Sequence, residues 1–112
     1  MPRTTISVQQ PTDAGSVLTR TNGDAANNHD FINNGNTVLI VKNGGGSSIN
    51  VTVKFGSDKF GRTGTRVVAV AASEEKVIGP FVPELYNQSD GKVQFDLSAA
   101  TSVTIAAVNA QR

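Results

Sequence analysis

The chain contains 112 residues, which fits one small domain, since domains usually take ~100–200 residues. No cysteine is present, and this excludes a disulfide framework, a thiol nucleophile, an iron–sulfur cluster and a thiolate zinc site. Charged residues make up 17% of the chain and leave a net charge of +1, so charge favours neither nucleic acid nor anionic membranes as partners. No apolar run approaches the ~20 residues of a membrane span, and the polar start lacks a hydrophobic signal core. We therefore expect a soluble protein made in a cytoplasm.

The apolar residues are mostly β-branched. There are 14 Val, 6 Ile and 11 Thr against only 4 Leu, and 11 Gly and 10 Asn interrupt the apolar runs. Strands favour β-branched residues, whereas helices favour the opposite balance. No segment of ten or more residues has the helical spacing of about 3.6 residues. The composition therefore predicts an all-β protein.

The first part of the chain is polar and is broken by two prolines and a glycine. It predicts an extended N-terminal arm (residues 1–21) ahead of a β domain (residues 22–112). The Asn-Gly pairs at 22–23 and 34–35 predict turns, because both residue types tolerate positive φ. The apolar pair at 31–32 between them predicts a short strand.

Residues 37–41 form a short apolar run, which predicts a central strand buried on both faces. Residues 49–55 alternate instead, and this predicts one inward face that consists of Ile49, Val51, Val53 and Phe55. The turn at 43–46 between the two runs predicts that they pair as a hairpin.

The second half of the domain continues with short strands. Residues 65–72 place Val68 and Val70 on one face and Val67 and Ala69 on the other, which leaves an apolar strand available for self-association. Residues 76–78 extend the chain until two prolines exclude a central strand.

Two alternating runs, 93–97 and 102–108, predict a C-terminal hairpin. In total, seven or eight short strands predict a single-domain antiparallel β-sandwich or small barrel.

Side chains suited to catalysis or metal binding are scattered. His29 lies next to Asp30, and the two could form a catalytic triad with Ser47 or Ser48. The sequence contains no nucleophile elbow, however, and we interpret His29 as an exposed turn residue. The aspartates do not have the spacing of a calcium loop. The glycines after residue 43 lack the lysine and the helix of a phosphate-binding loop. The sequence therefore predicts neither an enzyme nor a cofactor or metal site.

The segment KFGSDKFGRTGTR mixes cations with aromatic residues, as surfaces that bind single-stranded nucleic acid do. The near-neutral chain and the inward position of Phe55 favour a glycine-rich loop that contacts a protein instead. We therefore predict no nucleic-acid partner and no membrane partner.

From about residue 31 to residue 108 the chain carries four motifs in order, FINNGNTVLIVKNGG, INVTV, EKVIGPFVPELYNQSDGKVQFDL and SVTIAAVNA. The order of these motifs resembles that of the small head decoration, or minor capsid, proteins of tailed bacteriophages. The closest parts of the resemblance are Val77–Phe81 and the pair Tyr86-Asn87, whereas the loop 56–64 departs from the family pattern.

The resemblance implies a non-enzymatic cement protein on the exterior of the capsid, synthesised in the host bacterial cytoplasm. It would bind the major capsid protein and stabilise the contacts between neighbouring subunits. We also expect a homo-oligomer, for which a trimer is one option. The alternatives are a tail or head–tail connector protein and a virion-surface glycan-binding module, although the single tyrosine supplies a poor platform for sugars.

The arm and the glycine-rich loop are the predicted capsid interface, which consists of Arg3, Thr4, Thr5, Ile6, Val8, Lys59, Phe60 and Arg62. The β-prone arm is suited to adding a strand to the edge of a capsid sheet. On this hypothesis, deletion of residues 2–12 abolishes capsid binding and leaves the fold intact.

Overall fold

The computed structural model of the chain describes residues 3–11, 14–15, 17–55, 64–88 and 90–109. These ranges contain ten strands and one short helix: β1 (Thr4–Thr5), β2 (Val8–Gln9), β3 (Thr21–Asn22), β4 (His29–Ile32), β5 (Thr37–Asn43), β6 (Ile49–Lys54), β7 (Thr65–Val70), β8 (Glu75–Ile78), α1 (Pro83–Tyr86), β9 (Lys92–Leu97) and β10 (Val103–Asn109).

The strands form two sheets that enclose one core. The first sheet has the order β1-β4-β9-β6-β7, and the second has the order β2-β10-β5-β8, with β3 also paired to β10. This arrangement confirms the predicted single-domain β-sandwich. The sheets are mixed rather than purely antiparallel, because β1 pairs with β4 and β2 pairs with β10 in parallel.

Both predicted hairpins are wrong. Strand β5 pairs with β8 and β10, whereas β6 pairs with β7 and β9 in the opposite sheet. Strands β9 and β10 likewise belong to different sheets. Each of these two connections crosses the sandwich, so that the two strands it joins turn their apolar sides toward the same interior from opposite directions.

Alternation nevertheless identified the inward faces correctly. Alternate residues of β6, β9 and β10 are buried, namely Ile49, Val51, Val53, Val93, Phe95, Leu97, Val103, Ile105 and Ala107. Strand β5 is central, as predicted, since it has a partner on each edge. It is not buried on both faces, however. Val38 and Ile40 are half-buried on the outer side of the second sheet, which no further layer of the described residues covers.

A row of six rings runs through the described interior. Adjacent ring centroids lie 5.2–5.9 Å apart in the order His29, Phe95, Phe31, Phe81, Tyr86 and Phe55. Pairs of aromatic rings at such distances contribute about 0.5–1.5 kcal/mol each beyond the area they bury. The row attaches α1 to the first sheet. No sequence pattern predicts this helix, because four residues are too few to show a helical period.

Asn43 fastens the corner where the chain leaves β5 and crosses to the first sheet. Its buried Nδ2 donates to the carbonyl oxygen of Ser47 at 2.8 Å and approaches those of Val70 and Ala71 at 3.2 Å each. Its Oδ1 accepts the N–H of Gly45 at 3.0 Å. A single side chain therefore satisfies backbone groups of the crossing loop and of the end of β7 together.

We predict that Asn43→Asp destabilises the fold by about 3 kcal/mol or more, because a buried carboxylate would face three carbonyl oxygens and leave them without a donor. Equilibrium urea unfolding measures the effect. Asn50→Asp is the matched control, since Asn50 is exposed on β6 and the same change there costs about 0.5 kcal/mol or less. Equal losses in the two variants would contradict the role assigned to Asn43.

Candidate partner-binding surface

The predicted arm lies against the domain and joins both sheets. Thr4 and Thr5 form β1 on the first sheet, and Val8 starts β2 on the second sheet. Ile6, between them, is only 4% exposed and belongs to the core. Residues 3–9 therefore form an integral part of the sandwich, and most of the Ile6 side chain is used in the core.

Arg3, also predicted as an interface residue, is occupied within the chain. Its Nη1 lies 2.7 Å from Asp96 Oδ1 and 3.2 Å from the carbonyl oxygens of His29 and Phe95. The side chain is mostly buried, so this ion pair loses less to solvent screening than a surface pair. Arg3 therefore fastens the start of the arm to β4 and β9.

The two threonines are exposed but are also used internally. Thr5 Oγ1 donates to Asp30 Oδ1 at 2.6 Å, and Thr4 Oγ1 donates to Asp24 Oδ2 at 3.3 Å. The other three predicted interface residues, Lys59, Phe60 and Arg62, lie outside the described residues.

His29 is fully buried, so its interpretation as an exposed turn residue is wrong. Its Nδ1 lies 3.0 Å from the carbonyl oxygen of Thr4, and the N–H of Asp24 lies 2.8 Å from its Nε2. Because a carbonyl only accepts, Nδ1 carries the proton and Nε2 accepts, which is the arrangement of a neutral ring. Burial lowers the pKa of His29 below its ordinary value of 6.5.

This geometry gives His29 a structural role. Both ring nitrogens are engaged by backbone groups, and the ring stacks on Phe95 at 5.5 Å. The imidazole therefore links the arm to the turn before β4, and neither nitrogen is available to activate a serine. Among the described residues, no group of three or more His, Cys, Asp or Glu side chains is placed to hold a metal ion.

The motifs that carry the family resemblance converge on one structural corner. Asn33 Nδ2 donates to the Phe81 carbonyl oxygen at 3.0 Å and to Asn87 Oδ1 at 2.7 Å. Asn87 Nδ2 in turn donates to the carbonyl oxygen of Asn33 at 3.0 Å. Gly79 has φ +118°, and a Cβ there would lie 3.1 Å from the Phe81 ring, so this turn requires glycine. These residues set the path of the chain between β8 and β9.

The side of the sandwich where β7 and β8 end the two sheets differs from the arm side. It carries three exposed aliphatic side chains, Val67 at 57%, Val77 at 65% and Val82 at 57% exposure. We call the side formed by β7, β8 and residues 79–82 the β7–β8 face. The alternating burial of the two strands places Val67 on the outer side of the first sheet and Val77 on the outer side of the second sheet.

A groove of about 420 Å³ runs along this face between the two edge strands. Its walls include Val68 of β7, Ile78 of β8 and the rings of Phe81 and Tyr86. Arg66 and Lys76 also line it. Arg66 Nε donates to Tyr86 Oη at 3.1 Å, and Lys76 Nζ donates to the carbonyl oxygen of Ala69 at 2.6 Å. The surface of this groove is slightly more polar than apolar, and it includes two cations.

A second groove, of about 460 Å³, separates the arm from the start of β5 and the end of β10. Most of its lining residues are polar, but its surface is mainly apolar, and its lining includes Ile6, Val8 and exposed Ile32. The β7–β8 face combines exposed aliphatic residues, cations and a sheet edge, and we therefore regard it as the candidate partner-binding surface. The sequence pointed to part of it through the apolar strand at Val67, but exposure of Val77 and Val82 depends on the order of strands in the sheets.

Comparisons with family models, curated proteins and solved structures give no match to this chain. In the described part of the chain, no helix is long and apolar enough to cross a membrane.

We predict that Ile6→Ala destabilises the fold by about 2–5 kcal/mol, because it removes a buried aliphatic side chain from between the two sheets. Val17→Ala is the matched control, since Val17 is 91% exposed and its truncation costs about 0.5 kcal/mol or less. Urea unfolding of both variants measures the two losses of stability. An Ile6 variant as stable as the Val17 variant would mean that the arm is not part of the core. For the same reason, we no longer expect deletion of residues 2–12 to leave the fold intact.

We also predict that the free energy of unfolding decreases as the pH falls below 6.5. The unfolded chain protonates His29 near its ordinary pKa of 6.5, whereas the folded chain holds the ring neutral to lower pH. The contribution is therefore complete above about pH 6.5 and is lost progressively below it. Asp24 does not interfere above pH 5, because a hydrogen bond from the Asn27 backbone holds its pKa below 3.8.

Unfolding in urea between pH 5 and 7.5 measures this dependence. His29→Gln should be less stable than the parent protein at pH 7 and should lose the dependence, because glutamine does not titrate. A parent protein whose stability follows the same pH profile as the variant would contradict the prediction.

Proposed function

We propose that this chain is a non-enzymatic decoration protein of a tailed bacteriophage head. In this proposal it binds the exterior of the capsid lattice through the β7–β8 face and stabilises the contacts of the major capsid protein. The observation that carries the proposal is the groove between β7 and β8, which has exposed Val77 and two cations in its lining, on a well-packed sandwich. The motif that most closely resembles the phage family, Val77–Phe81, forms one wall of that groove.

Two physical effects would allow a small protein of this kind to stabilise a capsid shell. A protein that binds only the assembled lattice stabilises the assembly by mass action. Contacts that are weak singly add up when they recur around a closed particle. Homo-oligomerisation, for which a trimer is one option, remains part of the proposal, because an oligomer would engage several capsid subunits at once.

The alternative functions receive less support from the surface. A glycan-binding module normally offers an exposed aromatic ring. In the described part of the chain, Tyr86 and Phe81 are buried and Phe55 is half-buried, so none of these rings forms a platform. A tail or connector protein would use the same kind of apolar face, and only binding to tails distinguishes it from a head protein.

Co-sedimentation tests the proposal. Purified protein is mixed with expanded capsids that lack it, with unexpanded procapsids and with tails of the phage that encodes it. We expect saturable binding to expanded capsids alone. Binding to tails would favour the connector alternative, and binding to no particle would contradict a virion role.

A pair of double variants locates the interface. Val77→Ser with Val82→Ser should weaken capsid binding about tenfold or more, since buried apolar anchors dominate interfaces. Val17→Ser with Ile32→Ser removes two exposed aliphatic residues from other surfaces and should bind like the parent protein. Equal losses in both double variants would place the interface elsewhere.

A further inference from the structure

We infer that the groove of the β7–β8 face takes an extended, acidic segment of a capsid subunit, which adds as a new strand to the outer edge of β7. This inference rests on the proposed function and specifies the form and charge of the partner segment. It follows from three features of the described residues: the direction of the β7 backbone groups, the aliphatic side chains in the groove wall and the charge of its lining.

The backbone of β7 presents unused hydrogen-bonding groups at the sheet edge. The carbonyl oxygens of Ala69 and Ala71 point away from β6, since they accept Lys76 Nζ at 2.6 Å and the N–H of Glu74 at 3.1 Å. Because backbone direction alternates along a strand, the N–H and C=O of Val67 also point outward. Within the described ranges, neither group of Val67 has a hydrogen-bond partner. An added strand would pair with them directly.

The side chains beside that edge define what the added strand must carry. Arg66, Val68 and Val70 alternate with Val67 and therefore lie on the inner side of β7. Alternate residues of an added strand would face the same side, over Val68 and Ile78. This position favours aliphatic residues in the partner.

The charge of the groove favours a partner segment with acidic side chains. Its lining contains two cations, Arg66 and Lys76, and no carboxylate. The neighbouring acid is Glu74 in the turn before β8, whose Oε1 lies 3.8 Å from Lys76 Nζ. A carboxylate in the partner, placed two residues from an inward aliphatic residue, would reach Arg66 on the same side of the strand.

Lys76 also protects the edge when no partner is bound. By occupying the Ala69 carbonyl oxygen it covers one acceptor that a strand would need. Lysine at an edge commonly prevents indiscriminate pairing between sheets. A carboxylate of an acidic segment would attract the Lys76 ammonium group away from the Ala69 carbonyl oxygen, which could then accept a hydrogen bond from the added strand. A neutral or basic segment would not displace Lys76 in this way. Lys76 therefore favours acidic partners over others.

Val67→Pro tests the strand addition. Proline removes the outward N–H of Val67 and leaves the hydrogen bonds between β7 and β6 in place, because proline is tolerated on edge strands where its nitrogen faces outward. We expect binding to expanded capsids to weaken at least tenfold. Val67→Thr is the matched control, because it keeps the N–H and the β-branched shape. Since the Val67 side chain lies on the outer side of β7 and does not line the groove, this variant should bind within about threefold of the parent protein.

Arg66→Glu tests the charge without any change to the backbone, in case the proline variant does not fold. It should weaken capsid binding at least tenfold, whereas Lys92→Glu, with the same change in net charge on β9, should leave binding unchanged. Far-ultraviolet circular dichroism and urea unfolding establish that each variant is folded.

The outcomes separate this inference from the proposed function. If the parent protein and both folded test variants bind expanded capsids equally, the proposed function stands and the inference is overturned. If the parent protein binds no capsid, both are overturned. If Val67→Pro changes the sedimentation coefficient of the free protein while lattice binding is unaltered, the occupant of the edge is a second copy of this chain and the inference is wrong.

Discussion

The fold depends on a single shared interior, which both sheets must reach from opposite sides. The chain changes sheet at most of its connections, and β6 followed by β7 is a neighbouring pair that stays together. Each crossing places the aliphatic side of one strand opposite that of the next, so that burial of apolar surface holds the two sheets together. Where the chain crosses, polar side chains satisfy the backbone groups that leave the sheets, as Asn43 and Asn33 do.

The same constraint explains why the arm and the candidate surface behave differently. The arm crosses from the first sheet to the second, and Ile6, Arg3 and the buried ring of His29 hold it in place. These groups make their hydrogen bonds and apolar contacts within the chain. At the opposite side, β7 and β8 end their sheets with exposed valines and an open backbone edge. We therefore propose the β7–β8 face, rather than the arm, for partner binding.

The sequence predicted the strands and their inward faces well, because alternation with a period of two is a local property that burial enforces. The predicted strand pairing was wrong. The sequence of the loop after Asn43 is compatible with a hairpin turn and with a crossing between sheets, and only the tertiary fold distinguishes the two. His29 was misread because the predicted strand began at Phe31. Extended by two residues, the same alternation places His29 beside Phe31 on the inward side, as the structure has it. The groove between β7 and β8 also joins residues that only the strand order brings together.

Electron cryo-microscopy of expanded heads decorated with the purified protein tests the central claim most directly, since it reports the location, the orientation and the copy number at once. The account predicts density on the outer surface of the head, with the β7–β8 face against the capsid and a capsid segment running alongside β7. Density that contacts the capsid through the arm side would contradict the assigned surface. Density on the tail, or bare heads at saturating protein, would contradict the decoration role.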